Sequence, residues 1–270
     1  MQSAERQNMK KIKLTIAYDG TNYVGWQVQK NGLAVEQVLN EHLSRLLKEP
    51  IVICGASRTD SGVHARGNVA SFYTTTRIPP EKISLALNQG LPDDIKIVKS
   101  EEVPEEFHPR YANCLKTYQY NILNCRYNVP TLRLYYDYVY YPLDVEQMRK
   151  AASYLMGEHD FVAFSSSGGQ QKTTVRRIDA ITIEAEPLEP WIMENRLQPK
   201  EYLPQKIHIT VTGNGFLYNM VRIIAGTLEK VGMGVYPPEY VKEILESKDR
   251  RLSAPKASAR GLTLMSIRYL

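Results

Sequence analysis

The 270-residue sequence lacks the motifs of nucleotide-dependent, zinc-dependent and disulfide-stabilised proteins. Its three cysteines, Cys54, Cys114 and Cys125, form no CxxC pair, which argues against a zinc site and a disulfide framework. HExxH is absent as well, which also argues against a zinc site, and neither GxGxxG nor a P-loop occurs, so no nucleotide cofactor is expected. No apolar run is long enough to cross a bilayer, and the first residues, MQSAERQNMKKIKL, show no signal-peptide pattern. We therefore expect a cytoplasmic protein that does not contact a membrane.

The sequence does contain a mild excess of positive charge and many tyrosines. The formal net charge is +5, and 18 Tyr stand against only 5 Phe. Basic charge favours contact with nucleic acid, and tyrosine rings can stack on bases. The same tyrosines are equally typical of half-exposed strands in a sheet. Composition is thus compatible with RNA binding and does not establish it.

Hydrophobic periodicity predicts two sets of elements, each of which approximates the order βαββαβ. The first set comprises strand KIKLTIAY, a helix over 34–47, strands IVICG and NVASFY, helix KISLALNQGL and strand IKIVKS. The second comprises strands KTYQYNIL and YYDYVYY, helix DVEQMRKAASYLMG, strands VRRIDAITIEA and KIHITVTG, helices NGFLYNMVRIIAGTLEKVG and PPEYVKEILES, and strand GLTLMSIRYL. In the helix DVEQMRKAASYLMG, Asp144 is a candidate N-cap and Gly157 a candidate end.

The predicted fold class is therefore α+β: two ferredoxin-like halves that form an extended, mostly antiparallel sheet with a central active-site cleft. The expected domains are residues 1–112 and 113–270. The segment 187–204, PLEPWIMENRLQPKEYLP, is too long for a hairpin turn and too rich in proline for a central strand. We interpret it as an insertion of unknown role within the second domain.

The stretch GASRTDSGVHARGNVASF concentrates polar chemistry in a loop beside a strand. Arg58 and Asp60 are two residues apart, so an extended backbone places both side chains on one side and Thr59 on the other. Gly62 permits a sharp bend before the strand resumes. A carboxylate beside a guanidinium stays ionised and can act as a nucleophile or a base. The same spacing also fits a surface salt bridge without function.

Two other interpretations of this loop have weaker support. Ser57, Asp60, Ser61 and His64 are residue types of a hydrolase triad, yet the strained nucleophile turn is missing. Asp60, His64 and His108 are possible metal ligands, but no metal-site spacing supports them. Both histidines are better interpreted as hydrogen-bonded scaffold residues.

Six segments in order, YDGTNYVGWQVQ, GASRTDSGVHA, FHPRYA, KTYQY, EHDFVAFSS and GFLYNMVRIIAG, closely resemble the TruA-type tRNA pseudouridine synthases. The resemblance extends over about 11–270. It implies two ferredoxin-like halves facing a cleft, and isomerisation of uridine to pseudouridine at positions 38, 39 and 40 of the tRNA anticodon stem-loop. It also implies a homodimer that uses neither a metal nor an organic cofactor.

The motif matches imply roles for individual residues. Asp60 of RTDSGVH would be the catalytic residue, and Arg58 would help to extrude the target base. Tyr118 of KTYQY would pack against the flipped uracil, and Leu262 of the last strand would form an apolar wall beside it. Arg222 of GFLYNMVR would pair with Asp60. The alternative without a functional role is that the guanidinium of Arg222 extends into solvent.

Three further residues of these motifs, His64, Arg110 and Lys116, are expected to contact the RNA. The chain departs from the family pattern at Ser61, where alanine is common, so that the serine can add a hydrogen bond in the loop. SAPKASARGL also differs from the usual form before Leu262, and the 187–204 insertion is longer than usual. The alternative function is a non-catalytic RNA-binding protein on the same fold, since such sheets often present aromatic residues to RNA.

Overall fold

The computed structural model describes residues 9–169, 172–188 and 204–270. The strands in these ranges are β1 (Lys10–Tyr18), β2 (Cys54–Gly55), β3 (His64–Thr74), β4 (Ile95–Val103), β5 (Cys114–Asn124), β6 (Asp137–Val139), β7 (Gly157–Asp160), β8 (Val175–Pro187), β9 (Gln205–Gly213) and β10 (Leu262–Tyr269). The α-helices are α1 (Val35–Leu47), α2 (Ile83–Asn88), α3 (Val145–Ser153), α4 (Met220–Gly232) and α5 (Tyr240–Ser247). Of the described helices, none is both long and apolar enough to cross a membrane.

The chain divides into two compact units. Unit 1 comprises Met1–Cys114 together with Leu264–Leu270, and unit 2 comprises Leu115–Thr263. The division after Cys114 lies two residues beyond the boundary proposed from the sequence. Most of β10, which the sequence pattern placed in the second half, groups with unit 1.

Unit 1 contains the strand order β4-β1-β3-β10, and β2 pairs with β3 at Ala70 and Ser71. The pairs β1–β3, β1–β4 and β2–β3 are all antiparallel. Alternation along β1 puts Ile12, Leu14 and Ile16 on one face, and all three are completely buried. The stripe predicted for α1 is confirmed, because its i, i+3 and i+4 apolar positions face the core.

Unit 2 contains the order β5-β9-β8-β7, with β6 added to β5 in parallel. The other pairs are antiparallel, and Tyr118 and Tyr120 of β5 lie opposite Val211 and Ile209 of β9. Helix α4 is buried continuously from Met220 to Leu228, which explains its nearly uninterrupted apolar sequence. Mixed helices and mostly antiparallel strands confirm the predicted α+β class.

Several predicted element boundaries were wrong. The segment YYDYVYY forms only the three-residue strand Asp137–Val139. Helix α3 has the predicted cap, because the Asp144 side chain accepts a hydrogen bond from the Gln147 N–H, but the helix ends at Ser153. Gly157, with φ +95°, instead begins β7, a strand that the sequence pattern did not indicate. Helix α4 begins only at Met220, since the preceding residue has a left-handed backbone.

The proposed insertion begins at the end of a strand pair. Pro187, the last residue of β8, lies opposite Gln205, the first residue of β9. The Leu188 N–H donates to the Pro204 carbonyl at 3.1 Å and closes the base of the connection. The remainder of the insertion, 189–203, lies outside the described residues.

Candidate active site

The polar loop of unit 1 is fixed by the chain segment that follows β1. The Trp26 N–H donates to the Thr59 carbonyl at 3.1 Å, and the Gly62 N–H donates to the Tyr23 carbonyl at 3.3 Å. Gly25 has φ +103°, and a Cβ there would lie 2.5 Å from the Thr59 oxygen. Only glycine permits both this backbone conformation and this close approach. The motif glycine therefore brings one backbone into contact with the other.

Buried polar side chains hold the inner side of the same loop. The Tyr18 hydroxyl and Thr59 Oγ1 share a hydrogen bond of 2.7 Å. Asn68, which is completely buried, donates from Nδ2 to the Ser57 carbonyl at 3.0 Å and lies 3.4 Å from the Tyr18 hydroxyl. None of these groups carries a charge. The network keeps Thr59 turned towards the core.

Arg58 and Asp60 consequently point away from the core. Thr59 is buried, Arg58 is exposed and Asp60 is half-buried, which is the alternation predicted for an extended backbone. The chain then turns sharply, because the Val63 N–H donates to the Asp60 carbonyl at 3.1 Å and Gly62 has φ +77°. The Asp60 carboxylate thus stands at the entry of a tight turn whose backbone is fixed on both sides.

His64 and Arg110 lie close to this loop. His64, the first residue of β3, is 4 % exposed; the Gly20 N–H donates to its Nδ1 at 3.1 Å, and Asp19 Oδ1 lies 3.1 Å from the same nitrogen. These contacts agree with a scaffold role. Arg110 is exposed and donates from Nη2 to the Gly55 carbonyl at 3.3 Å, so the FHPRYA segment contacts the start of the loop.

Ser61, which replaces the alanine common in the family, forms the additional hydrogen bond that was expected of a serine. Its Oγ donates to the Tyr23 carbonyl at 3.3 Å and adds a further connection between the loop and the segment after β1. Within the described ranges, no three His, Cys, Asp or Glu side chains group closely enough to hold a metal ion.

In unit 2, Tyr118 lies on β5 and is 7 % exposed. Its ring meets Phe216 in an edge-to-face contact, with centroids 5.2 Å apart and planes at 85°. Such contacts hold aromatic rings at a defined angle. Lys116, two residues earlier on the same strand, is half-buried and lies opposite Gly213 of β9.

Arg222 is held in the first turn of α4 with only 8 % exposure. Its Nε donates to the Ala257 carbonyl at 2.8 Å, and its Nη1 donates to Asn219 Oδ1 at 3.0 Å. The segment containing Ala257 runs along the helix so closely that a Cβ at Gly226 would lie 2.3 Å from the Pro255 oxygen. The guanidinium is therefore fixed by carbonyl and amide oxygens within unit 2.

Leu262 is placed by a turn that packs against Tyr120. A Cβ at Gly261 would lie 2.8 Å from the Tyr120 ring, so the backbone contacts the ring directly. The Tyr120 hydroxyl donates to Asp137 Oδ2 at 2.6 Å and lies 2.9 Å from the Ser258 carbonyl. Asp137 Oδ2 also accepts from the Ser258 N–H at 3.1 Å. Burial, followed by the nearby Asp137 charge, raises the pKa of Tyr120, so the hydroxyl remains a donor.

A second carboxyl group lies near this cluster. Burial, followed by the charge of Asp137, raises the pKa of Glu229 to about 8, and Lys230 acts in the opposite direction. Glu229 Oε1 is shielded from solvent and has no hydrogen-bond partner among the described residues. Glu229 is therefore protonated at neutral pH, which is the form that burial favours.

The structure separates the predicted site residues into two groups. Unit 1 contains Arg58, Asp60, His64 and Arg110, and unit 2 contains Lys116, Tyr118, Arg222 and Leu262. The predicted ion pair between Arg222 and Asp60 joins residues of different units and stays a prediction.

Sequence reasoning missed the residues that support these side chains: Tyr18, Asn68, Phe216 and Asn219. Phe216 and Asn219 stand in the recognised segment GFLYNMVRIIAG, so the motif itself was a signal. For Asn68 the only signal was a polar residue inside an apolar strand, which requires a hydrogen-bond partner when it is buried.

Together these features define what the residues can do chemically. Asp60 offers a half-buried carboxylate on a fixed backbone, which suits attack on an electrophilic carbon or removal of a proton. Tyr118 offers a ring fixed by Phe216, and Leu262 an apolar surface, which suit contact with a flat ligand such as a base.

The chain matches the family model described as tRNA pseudouridine synthase over residues 14–112 and 151–270. It is 44% identical over 261 residues to tRNA pseudouridine synthase A of Thermoanaerobacter sp. (strain X514), covering 97% of this chain and 100% of the relative. It is 48% identical over 261 residues to the tRNA pseudouridine synthase A of Ruminiclostridium cellulolyticum, with the same two coverages. A Clostridium perfringens protein named tRNA pseudouridine synthase A 2 is 47% identical over 262 residues, again at 97% and 100% coverage. The six recognised segments and these matches over nearly the whole length lead to one conclusion: the chain belongs to the tRNA pseudouridine synthase family, whose members are isomerases.

Proposed function

We propose that this enzyme converts uridine to pseudouridine at positions 38, 39 and 40 of the tRNA anticodon stem-loop, with Asp60 as the catalytic carboxylate. The observation that carries the proposal is the way the loop is held. Contacts from Trp26 and Tyr23 fix its backbone, and the network around Thr59 turns Asp60 away from the core. A catalytic group needs this kind of support, since small displacements cost much of its rate enhancement.

The reaction breaks the N1–C1′ bond of uridine, rotates the uracil and forms a C5–C1′ bond, without net hydrolysis. A paired or stacked uridine is out of reach, so the nucleotide must first flip out, at a cost of a few kcal/mol. Arg58, exposed beside Asp60, is suited to occupy the space that the base leaves. Contacts of Lys and Arg side chains with phosphates would offset the cost of flipping.

In this proposal Asp60 acts on the ribose, either by attack on C1′ or by removal of a ribose proton. Tyr118 packs against the released uracil, and Leu262 excludes water from it. Arg222 pairs with Asp60 in the predicted ion pair. Lys116 and Arg110 contribute contacts to the RNA, whereas the buried His64 supports the loop from within, and neither a metal nor an organic cofactor takes part. The homodimer and the cytoplasmic location implied by the family remain predictions.

The decisive experiment replaces Asp60 with Asn, which keeps the size of the side chain and removes its charge. Pseudouridine formation is measured on transcribed tRNA, with arms in which only position 38, 39 or 40 is uridine. We expect turnover to fall by at least about 10³-fold, while the dissociation constant for tRNA changes by less than about threefold.

The control is Asp93→Asn, at a fully exposed aspartate of the same unit that pairs only with Lys96, and it should leave both quantities unchanged. Wild-type-like turnover in Asp60→Asn would remove the catalytic assignment. A wild-type protein that binds the arms tightly but modifies none of them would favour the non-catalytic RNA-binding alternative.

A further inference from the structure

Arg176, the second residue of β8, is a partly buried cation that has no acidic partner among the residues that the structure describes. Its Nη1 donates to the Thr173 carbonyl at 2.9 Å and to the Val175 carbonyl at 2.6 Å. Among the described residues, no carboxylate forms an ion pair with it, and Nε and Nη2 have no hydrogen-bond partner. Burial lowers the pKa of Arg176, with no acidic charge opposing the shift. A guanidinium held in this way is stabilised by an incoming anion.

The neighbouring Arg177 shows the more usual arrangement, in which an arginine pairs with a carboxylate. Arg177 has a side chain that is 61% exposed, and its Nε donates to Asp179 Oδ1 at 2.8 Å. Its charge is therefore already balanced by a carboxylate in contact with it. The two adjacent arginines thus differ in one respect: in the described part of the chain, Arg177 has an anionic partner, whereas the partners of Arg176 are carbonyl oxygens.

The turn after β9 lies beside Arg176 and leads directly into the aromatic pair of unit 2. Asn214 and Arg177 exchange two hydrogen bonds, from the Arg177 N–H to Asn214 Oδ1 at 3.1 Å and from the Asn214 N–H to the Arg177 carbonyl at 3.2 Å. A Cβ at Gly215 would lie 3.8 Å from Arg176 Nε, so the guanidinium lies beside this glycine. The next residue, Phe216, is the ring that contacts Tyr118.

The two unpaired nitrogens lie on the same edge of the guanidinium. The Nε–H and one Nη2–H point in parallel, which matches two oxygens of a phosphate. Because Gly215 has no side chain, the space beside Nε stays open. The side chain thus presents a bidentate donor pair beside Gly215, the residue before the Phe216 ring that contacts Tyr118.

We propose that Arg176 binds a backbone phosphate of the RNA adjacent to the flipped nucleotide and so positions that nucleotide against Tyr118. This inference rests on the proposed function, since it takes the tRNA anticodon arm as the ligand. Arg176 is a positioning residue: it acts on the ribose–phosphate chain and does not touch the bonds that break. The inner edge of its guanidinium is fixed by two carbonyls, and only the outer edge is offered to the RNA.

The test compares Arg176→Gln and Arg176→Lys with the matched control Arg177→Gln. The dissociation constant for an anticodon-arm RNA is measured between about 50 and 300 mM KCl, together with kcat and KM. We expect Arg176→Gln to lower the slope of log Kd against log salt by about 0.7 to 0.9, the contribution of one phosphate contact. It should raise KM about tenfold, with a smaller change in kcat.

Arg176→Lys should keep the wild-type salt slope, because the charge remains, and recover only part of the affinity, because the bidentate geometry is lost. Arg177→Gln should leave the slope, KM and kcat within about twofold of the wild type, because Asp179 already balances its charge. Gly215→Val is an independent test, because it retains Arg176 and covers the Nε edge of the guanidinium. It should weaken RNA binding and leave the folding of the protein unchanged, which thermal unfolding checks.

A single methylphosphonate in the RNA identifies the phosphate. Neutralising the phosphate on one side of the target uridine or the other should weaken wild-type binding and have no further effect on the binding of Arg176→Gln. At other positions, the effects of the methylphosphonate and of the substitution on the binding free energy should add. Inorganic phosphate should compete only weakly, since it lacks the remaining RNA contacts. Unchanged slope and affinity in Arg176→Gln, or additivity at both adjacent phosphates, would overturn the inference. Binding that behaves as expected in a protein that forms no pseudouridine would instead count against the proposed function alone.

Discussion

The two units support their candidate site residues with different chemistry. In unit 1 the Tyr18 hydroxyl bonds to Thr59 Oγ1, in a network with Asn68 that carries no charge. In unit 2 the Tyr120 hydroxyl bonds to the carboxylate of Asp137, and Glu229 lies close enough to affect both groups. Each tyrosine comes from the first strand of its unit in the chain, yet the partners differ.

The difference separates geometric support from electrostatic support. An uncharged network does not titrate at neutral pH, so the loop that carries Asp60 is held in the same way over a wide pH range. The buried Glu229 carboxyl group responds to pH, because burial and then the nearby Asp137 charge oppose its ionisation. The support of Leu262 should therefore depend on pH, and that of Asp60 should not.

The largest effect is expected from Gly25→Ala, which disrupts the backbone contact that holds the Asp60 loop in unit 1. The added methyl group would lie 2.5 Å from the Thr59 oxygen at a residue with φ +103°. We expect a loss of about 2–4 kcal/mol in unfolding free energy and a fall in turnover of about 10²-fold, as the loop moves. Urea unfolding and the pseudouridine assay measure the two effects.

The matched control is Gly168→Ala, at a glycine with φ +90° and no atom within 4 Å of the added Cβ. Gly168→Ala places alanine at an unfavourable φ but brings its methyl group against no other atom. It should therefore lose only about 1 kcal/mol of unfolding free energy and keep its activity. Equal losses in both variants would show that the contact with Thr59 does not support the loop.

A smaller effect is expected from removing each tyrosine hydroxyl. Tyr120→Phe takes a donor from the Asp137 carboxylate, and hydrogen bonds to charged groups contribute about 1.5–3 kcal/mol. Tyr18→Phe removes a bond between neutral groups, which contributes about 0.5–1.5 kcal/mol. We therefore expect Tyr120→Phe to be the more destabilising variant in urea unfolding at pH 7. The reverse order would contradict the distinction between charged and uncharged support.

The sequence predicted the core elements best where one periodicity dominated. Alternation in β1 and the stripe of α1 were correct, because each side of these elements meets one environment. Short elements were predicted poorly: β7 and the three-residue β6 depend on pairing with β8 and β5, which the local sequence does not encode.

The site was predictable through its motif residues and not through their supports. The spacing of Arg58 and Asp60 correctly predicted that they share a side of the chain, because extended backbones alternate. The contact of Gly25 with Thr59 joins residues far apart in sequence, so no local rule predicted it. That no carboxylate of the described residues pairs with Arg176 is likewise a property of the folded chain, since Asp179 is three residues away and pairs with Arg177.

The smallest effect is expected from Glu229→Gln, and it depends on pH. The pKa of Glu229 rises from 4.5 to about 8 on folding, so between these values the native state holds a proton that the unfolded state has lost. Stability therefore falls as pH rises through this window and levels off above it, whereas at pH below 4.5 Glu229 imposes no penalty. Glutamine is neutral throughout and removes this decline.

Glu229→Gln should thus resemble the wild type near pH 4.5. At pH 8.5 its unfolding free energy should exceed that of the wild type by about 1 kcal/mol. This is less than the free energy that corresponds to the full pKa difference, because solvent screens part of the side chain. Urea unfolding at half-unit steps of pH gives the curve. The control is Glu239→Gln, an exposed residue whose pKa the paired Lys150 lowers, so it stays ionised and should show no trend between pH 5 and 8.5. Parallel wild-type and Glu229→Gln curves would mean that the carboxyl group is ionised at neutral pH, and unit 2 would then lose the pH dependence that distinguishes it from unit 1.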